Sequence, residues 1–191
     1  VMRVSFASLR GKEGCIRPSG PCGKRFFPRL ARRAGDCDKT VMVPFTTHMA
    51  LALSQARDAA LRGEVPVGAV VTDPQGRVVA AAGNRTRELS DPTAHAEILA
   101  IRAACAALGS ERLPGHDLWV TLEPCPMCAA AISAARIARL YYGASDPRMG
   151  GVAHGAQVFR HAQCHHRPEV YDGLAAPESR DLLRRFFAQR R

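Results

Sequence analysis

Two cysteines separated by two residues are the most specific chemical signal in the sequence. Cys125 and Cys128 bracket Pro126 and Met127. Residues three apart on a helix lie on one face, so both sulfurs can reach one metal ion. The free N–H groups and the positive dipole of a helix N-terminus also favour thiolates. The pair therefore predicts zinc binding, although pairs of this kind also occur in redox sites and in structural zinc sites.

A histidine and a glutamate two residues apart, His95 and Glu97, extend this signal. His95 and the two cysteines make three protein ligands and leave the fourth position for water, which is typical of catalytic zinc. Zinc lowers the pKa of bound water to about 7, and a neighbouring carboxylate can collect the released proton. We therefore expect Glu97 to carry protons and not to bind the metal. Residues two apart lie about 200° apart on a regular helix, so both can face one metal only at a helix end or bend.

The elements that must position these residues alternate between strands and helices, which predicts α/β layers with the sheet between helices. The predicted helices are residues 46–62, a segment with Asp91 as its N-cap and Pro92 in its first turn that runs toward Gly109, 125–135 and an amphipathic helix at 177–191. The predicted strands are residues 67–71, 78–82, 117–122, 138–142 and, as a short strand or a turn, 169–171. Trp119 lies in a predicted buried strand, where we expect it to pack in the core.

The composition excludes several classes of protein. The chain has 191 residues, of which 47% are hydrophobic, so a globular core is expected and a wholly disordered chain is excluded. No run approaches the roughly 18 apolar residues of a membrane span, so no membrane partner is expected. Seven cysteines are an odd number, which favours reduced thiols or a metal site over a disulfide scaffold.

The positive charge is concentrated in the first fifth of the chain. Residues 1–41 contain ten Lys and Arg and three acids, whereas residues 42–191 contain 17 Arg, no Lys and 14 acids. The first segment shows no helical or strand period. It is interpreted as a basic arm for nucleic acid, an Arg-rich targeting peptide, an unfolded extension or a misassigned start upstream of Met42. The expected domain division is therefore a basic extension, 1–41, and a folded domain that contains the metal motif, 42–191.

Longer segments around the metal motif resemble a known family. The pattern His-x-Glu followed by Pro-Cys-x-x-Cys is the zinc-deaminase signature. Its surroundings closely resemble the bacterial tRNA-specific adenosine deaminases of the cytidine-deaminase-like superfamily. The matching segments are 64–69, 83–85, 91–97, 121–128, 136–140, 143–146 and Phe186-Phe187. The resemblance covers about residues 46–190, and the two metal segments carry most of its specificity.

The resemblance implies a three-layer α/β/α fold with a central mixed sheet of about five strands, usually in a homodimer, and a cytoplasmic location. It implies one Zn²⁺ per chain held by His95, Cys125 and Cys128, with Glu97 as the proton carrier. The implied reaction converts the wobble adenosine of a tRNA anticodon stem-loop to inosine. The expected substrate-binding residues are Asn84, the backbone of Ala96, Asp146 and Arg148. Four arginines near the C-terminus are phosphate-contact candidates, or alternatively a solvated helix face: Arg184, Arg185, Arg190 and Arg191.

The residues are also compatible with two other functions. Cys-Pro-Met-Cys with Pro126 also occurs in related guanine deaminases, so the alternative is a deaminase of a free nucleobase or nucleoside, guanine or cytidine. A zinc-stabilised RNA-binding module without catalysis is a third hypothesis, but a structural zinc site has no need of Glu97. The triplet Cys164-His165-His166 offers a second set of metal-ligand types, although surface polar groups or RNA neighbours explain it more simply.

Overall fold

Four α-helices and five strands form residues 46–190, the part of the chain that this computed structural model describes. The helices are α1 (Met49–Leu61), α2 (Ala96–Leu108), α3 (Pro126–Ala134) and α4 (Ala176–Ala188). The strands are β1 (Gly68–Thr72), β2 (Val78–Gly83), β3 (Asp117–Leu122), β4 (Arg139–Ala144) and β5 (Glu169–Tyr171). The basic extension, 1–41, and Arg191 lie outside the described residues.

The five strands form one mixed sheet in the order β2-β1-β3-β4-β5. Strand β1 runs antiparallel to both β2 and β3, whereas β3, β4 and β5 are parallel to one another. The short segment 169–171 is therefore a strand, because it pairs with β4. The predicted sheet of about five strands is confirmed.

Helices cover both faces of the sheet, which confirms the expected three layers. Helices α1 and α4 pack on one face, and α2 and α3 pack on the other. The larger core joins α2 and α3 to the sheet through residues such as Ile101, Ile132 and Leu140. On the opposite face Trp119 is buried, and its indole N–H donates a hydrogen bond to Thr72 Oγ1 at 3.2 Å. Trp119 is thus a core residue, as predicted.

The topology brings four chain segments to one edge of the sheet. The parallel strands β3 and β4 end there, so the residues after Leu122 and after Ala144 leave the sheet at this edge. Because β1 is antiparallel to β3, β1 begins at the same edge, and β2, antiparallel to β1, ends there. In open α/β sheets, ligands bind at the carboxyl ends of the parallel strands. We refer to this side as the carboxyl edge.

The start of α2 differs from the prediction. Asp91 was expected to cap the helix with Pro92 in its first turn, but α2 begins four residues later, at Ala96. The Asp91 carboxylate accepts hydrogen bonds from the backbone N–H and the hydroxyl of Thr93 at 2.8 and 2.7 Å. This local turn competes with the helix, as short acidic side chains often do, and delays its first turn.

The last helix is shorter than predicted and begins after a strained residue. Helix α4 ends at Ala188 and not at residue 191, and Ala175 before it has a left-handed backbone with φ of 54°. Phe186 is buried, whereas Phe187 is half exposed, so only one of the two rings packs in the core. Within residues 46–190, no helix has both the length and the apolar content that crossing a membrane requires.

Candidate metal centre and active site

His95, Cys125 and Cys128 converge at the carboxyl edge, where α2 and α3 begin. The distance from His95 Nδ1 is 3.7 Å to Cys125 Sγ and 3.5 Å to Cys128 Sγ. All three ligand atoms lie within 4.8 Å of one another. Among residues 46–190, this is the one group of three or more ligand-type side chains that could hold a metal ion.

The geometry of the three atoms suits zinc. A tetrahedral zinc with Zn–S near 2.3 Å and Zn–N of about 2.0–2.1 Å separates its sulfur and nitrogen ligands by about 3.5–3.6 Å. The two nitrogen–sulfur distances, 3.5 and 3.7 Å, lie close to this range. Two thiol groups and one imidazole also match the ligand preference of zinc. The donor set and its spacing therefore fit the predicted metal.

On a regular helix, His95 and Glu97 would lie about 200° apart and could not face one metal. In the structure both can do so, because His95 precedes the helix. His95 is the N-cap of α2, with an extended backbone at φ −70° and ψ 153°, and Glu97 lies in the first turn. The angular spacing of a regular helix therefore does not apply to the pair. An end of the helix, one of the two solutions expected from the sequence, brings both side chains to one site.

Prolines set the backbone at the cysteines. Cys125 lies between Pro124 and Pro126, and it is the N-cap of α3 with φ −67° and ψ 169°. A residue before proline is pushed out of the helical region, so Pro126 keeps Cys125 extended and itself occupies the first helical position. Cys128 then lies in the first turn, where it is buried. The helix therefore begins one residue later than predicted, with Cys125 at its cap.

The electrostatics of the site favour a metal-binding thiolate. The hydrogen bond with the Cys128 thiol and, against the opposing effect of burial, the contact with His95 lower the pKa of Cys125 to about 4. The same hydrogen bond, together with burial, raises the pKa of Cys128. The contact with Cys125 raises the pKa of His95. The positive ends of α2 and α3 meet here and add to the stabilisation of negative charge.

Glu97 is buried beside this centre. Its side chain is only 4% exposed, and burial raises the pKa of its carboxyl group. Glu97 and Cys128 lie close enough for each to influence the pKa of the other. A raised pKa suits a carboxyl group that first accepts and then donates a proton.

Asn84 and Ala96, two of the expected substrate-binding residues, both lie at the carboxyl edge. Asn84 directly follows β2 and is buried, and the next residue, Arg85, donates its N–H to the carbonyl of Ala94 at 3.1 Å. This bond ties the chain at Asn84 to the segment just before His95. Ala96 is the first residue of α2, where the helix itself offers no acceptor for the backbone N–H.

Two buried glutamates at the carboxyl edge, Glu64 and Glu123, hold neighbouring loops, and the sequence did not predict this role. Each lies beside a strand and just before a proline-containing segment, and that position is the only sequence signal they carry. Glu64 accepts hydrogen bonds from residues 84–88, and Glu123 accepts them from residues 146–154. Hydrogen-bond donors outweigh burial at both groups and lower the pKa of both carboxyls.

Glu123 holds the loop 146–154 against the start of α3, where Cys125 and Cys128 lie. Its two oxygens accept backbone N–H groups at 2.9–3.3 Å and the ring N–H of His154 at 2.7 Å. Gly150 and Gly151 allow this close approach, because a Cβ at Gly150 would meet Glu123 Oε1 at 2.5 Å and one at Gly151 would meet Pro126 N at 2.5 Å. Side chains at either glycine would push this loop away from α3.

Asp146 and Arg148 lie in the loop that Glu123 holds. The Asp146 carboxylate accepts the backbone N–H groups of Arg148 and Met149 at 3.0 and 3.1 Å, so this oxygen shapes the loop. The Arg148 side chain is exposed. Arg148 is therefore presented on the surface beside the metal centre.

Arg184 and Arg185 on α4, and Arg190 just after it, are exposed, and their surroundings differ. Arg184 contacts Asp181 at 3.5 Å, and the Arg190 guanidinium lies 3.9 Å from the centre of the Phe186 ring. Arg185 is also exposed. Arg191 lies outside the described residues.

The triplet Cys164-His165-His166 ties a loop to the end of α3. The Cys164 thiol donates to the His166 carbonyl at 3.0 Å and lies 3.3 Å from Ser133 Oγ. The His166 ring N–H donates to the carbonyl of Ile137 at 2.7 Å. Cys164 and His166 are half-buried and hold this loop in place, a structural role that differs from the surface polar groups or RNA neighbours expected from the sequence, whereas His165 is exposed.

Comparison with known proteins identifies the family. Residues 44–144 match the cytidine and deoxycytidylate deaminase zinc-binding region. The chain is 61% identical over 150 residues to a tRNA-specific adenosine deaminase of Agrobacterium fabrum (strain C58 / ATCC 33970), an alignment that covers 78% of this chain and 98% of that protein.

Solved structures agree with these sequence matches. One from a study of A-to-I editing by tRNA:A34 deaminases at the wobble position of transfer RNA has a TM-score of 0.70 at 64% identity, and it covers 71% of this chain and 97% of its own. A guanine deaminase from Nitrosomonas europaea has a TM-score of 0.64 at 25% identity and covers 73% and 82% of the two chains. The zinc-binding centre, the sheet and these identities place the chain in the family of tRNA-specific adenosine deaminases, within the cytidine-deaminase-like superfamily.

Proposed function

We propose that the chain is a zinc-dependent hydrolase that deaminates the wobble adenosine of a tRNA anticodon stem-loop to inosine. The observation that carries the proposal is the three-ligand centre with a buried carboxylate, Glu97, beside it. The 61% identity to a tRNA-specific adenosine deaminase supports the choice of substrate.

His95, Cys125 and Cys128 would hold one Zn²⁺. When bound, zinc lowers the pKa of a coordinated water to about 7 and so provides hydroxide at neutral pH. Three protein ligands in place of four are typical of catalytic zinc sites.

Glu97 moves the protons of the reaction. It takes one proton from the attacking water and delivers it to N1 of the adenine. It then takes the second proton from the hydroxyl group that has been added at C6 and delivers it to the amino group, which leaves as ammonia while the C6 carbonyl forms. Adenosine and water thus give inosine and ammonia, with no net change in protons on the enzyme. Burial raises the pKa of Glu97, so the carboxyl can hold the proton between the two transfers.

Backbone and side-chain groups around the centre orient the base. The N–H groups of Ala96 and Cys125 lie at the starts of two helices and would hold the attacking water or the leaving group. Asn84 would contact the target nucleoside from the end of β2. Asp146 shapes the loop that presents Arg148 to the RNA.

The arginines on the surface would contact phosphates. Arg148, Arg184, Arg185 and Arg190 are exposed, and the described domain contains no lysine that could take this role. An anticodon loop suits the site, because its unstacked bases need little further disruption to enter a pocket. Arg191 would extend this set.

We also propose a homodimer and a cytoplasmic location. Large apolar side chains stay exposed on the segments that flank the centre, namely Leu89, Met127 and Met149, and such surfaces suit a macromolecular partner. Cys105 and Cys164 are free thiols, which fits a reducing compartment. Residues 42–191 would form the catalytic domain, with residues 1–41 as an extension.

Guanine is the second candidate substrate. The structural similarity to a guanine deaminase favours it, and a free base would need none of the exposed arginines. This candidate shares the metal ligands and Glu97 with the first, so only product formation separates the two.

The test is to incubate the purified full-length chain with four substrates separately. These are a stem-loop with a wobble adenosine, free adenosine, cytidine and guanine. We expect inosine from the stem-loop and little product from the other three, with a Glu97→Ala preparation as the control for contaminating deaminases. If guanine were converted and the stem-loop were not, the substrate would be a free nucleobase and not a tRNA.

A further inference from the structure

The two oxygens of the buried Glu64 carboxylate have different partners. Glu64 is 1% exposed and lies before β1. Its Oε1 accepts the backbone N–H groups of Arg87 and Glu88, both at 2.9 Å. Its Oε2 accepts the Thr86 hydroxyl at 3.2 Å and the Asn84 side-chain amide at 3.4 Å. One oxygen thus holds the loop backbone, and the other contacts two side chains.

These contacts determine which way the Asn84 carboxamide faces. A carboxylate can only accept, and the single hydroxyl hydrogen of Thr86 is donated to Glu64. Asn84 Nδ2 therefore donates to Glu64 and also to Thr86 Oγ1 at 3.3 Å. A rotated carboxamide would place Oδ1 against two acceptors. The hydrogen-bonded arrangement leaves Oδ1 on the side away from Glu64.

The backbone around Asn84 is held independently of Glu64. Its own N–H donates to the carbonyl of Val67 at 3.0 Å, and the N–H of Arg85 donates to the carbonyl of Ala94. These bonds place Asn84 at the carboxyl edge, one step from the segment that carries His95. The contact with Glu64 additionally determines the orientation of the Asn84 carboxamide.

From these contacts we infer that Glu64 is a positioning residue for deamination: it orients Asn84 so that Oδ1 accepts a hydrogen bond from an O–H or N–H group of the bound nucleoside. This inference rests on the proposed function, in which Asn84 contacts the target nucleoside. A misdirected amide would present two donors to the substrate and displace the target base.

Glu64→Gln is the sharpest test, because it replaces a single oxygen by an NH₂ group. The carboxamide oxygen of the substituted side chain can keep both backbone N–H groups, while its NH₂ group replaces the acceptor that faces Asn84. We expect kcat on the stem-loop to fall about 10- to 100-fold, with the KM for the stem-loop and the zinc content unchanged. Glu88→Gln, an exposed change in the same loop, is the matched control and should keep wild-type kcat.

Double variants distinguish an orienting effect of Glu64 on Asn84 from a general loss of structure at the site. In an Asn84→Ala background, Glu64→Gln should reduce kcat little further, because the group it orients is gone. Glu64→Gln combined with Asn84→Asp reverses the donor and acceptor and still leaves an oxygen facing the nucleoside. This pair should recover most of the activity that Glu64→Gln loses. If Glu64→Gln lowered kcat by the same factor in the Asn84→Ala background as in the wild type, the inference would be wrong.

A second readout does not depend on turnover. Asn84 is the sole asparagine of the sequence, so protein labelled with ¹⁵N in asparagine side chains gives a single NH₂ signal. Glu64→Gln should move this signal and speed its hydrogen exchange, whereas Glu88→Gln should not. An unmoved signal in Glu64→Gln would overturn the inference. A wild-type chain that fails to convert any stem-loop, while the signal does move, would instead overturn the proposed function.

Discussion

In the proposed function, the carboxyl edge of the sheet performs the chemistry and helix α4 helps to bind the RNA. The two regions are built differently. At the edge, Glu97 and Cys128 are buried, and buried glutamates fasten the neighbouring loops. On α4, Arg184 and Arg185 are exposed. Proton transfer requires groups held to a fraction of an ångström, whereas phosphate attraction acts over several ångströms through water. We therefore expect changes at the edge to reduce kcat and changes on α4 to raise KM.

Loss of a metal ligand should have the largest effect. Cys125→Ala removes one of three ligands, and because metal binding contributes to folding, the variant should lose zinc, all measurable turnover and several degrees of melting temperature. Metal analysis and thermal unfolding of the purified variant check this. Full zinc content in Cys125→Ala would show that the centre has been assigned wrongly.

Removal of the proton carrier should come next. Glu97→Ala should keep stoichiometric zinc and lower kcat by roughly 10²–10⁴-fold, since it removes proton transfer and leaves the three ligands in place. Single-turnover kinetics alongside metal analysis measure both properties. Loss of zinc from this variant would make Glu97 a ligand and contradict the proposed mechanism.

Release of the loop beside the metal segment should be intermediate. Glu123→Ala leaves several buried N–H groups and the His154 ring without their acceptor, so the free energy of unfolding should fall by about 3 kcal/mol. Denaturant unfolding measures the change. Glu111→Ala, an exposed acid on the way to β3, is the control and should unfold like the wild type. Equal stability of the two variants would show that Glu123 holds nothing essential.

Charge reversal on α4 should affect binding alone. Arg184→Glu with Arg185→Glu should raise the KM for the stem-loop about tenfold at low salt and reduce the salt dependence of binding, with zinc and kcat unchanged. Arg112→Glu, in the loop leading into β3, controls for the altered charge. A KM that is unaffected at any salt concentration would show that α4 does not contact the RNA.

Shortening the chain should have the smallest effect. A protein that starts at Met42 retains every residue of the carboxyl edge and of α4. We expect it to fold and to deaminate at the wild-type rate. Stem-loop affinity that falls strongly while kcat is preserved would make residues 1–41 a third contributor, a basic arm that adds to the arginines of α4.

Residue types and spacing were enough to predict much of the centre. The Cys125–Cys128 pair and His95 predicted one metal centre, and the structure brings their ligand atoms within 4.8 Å of one another. The role of Glu97 as the proton carrier stays a prediction. Alternating apolar runs and turn residues predicted the strands to within one or two residues. The helix start after Asp91 was wrong, because the side chain of Asp91 forms a turn with Thr93 and the amino-acid types alone do not decide between a cap and a turn.

What the sequence by itself determined is the local chemistry: which groups can bind zinc, which can move a proton, and where helices are broken by proline. Only the tertiary structure decided which distant residues meet. The antiparallel pairing of β1 with β2 and β3 brings Glu64 to Asn84, and the parallel pairing of β3 with β4 brings Glu123 to its loop. Glu64 and Asn84 are twenty residues apart, and Glu123 and His154 are 31 apart. Contacts over such separations depend on strand order and direction, which no local pattern of residues encodes.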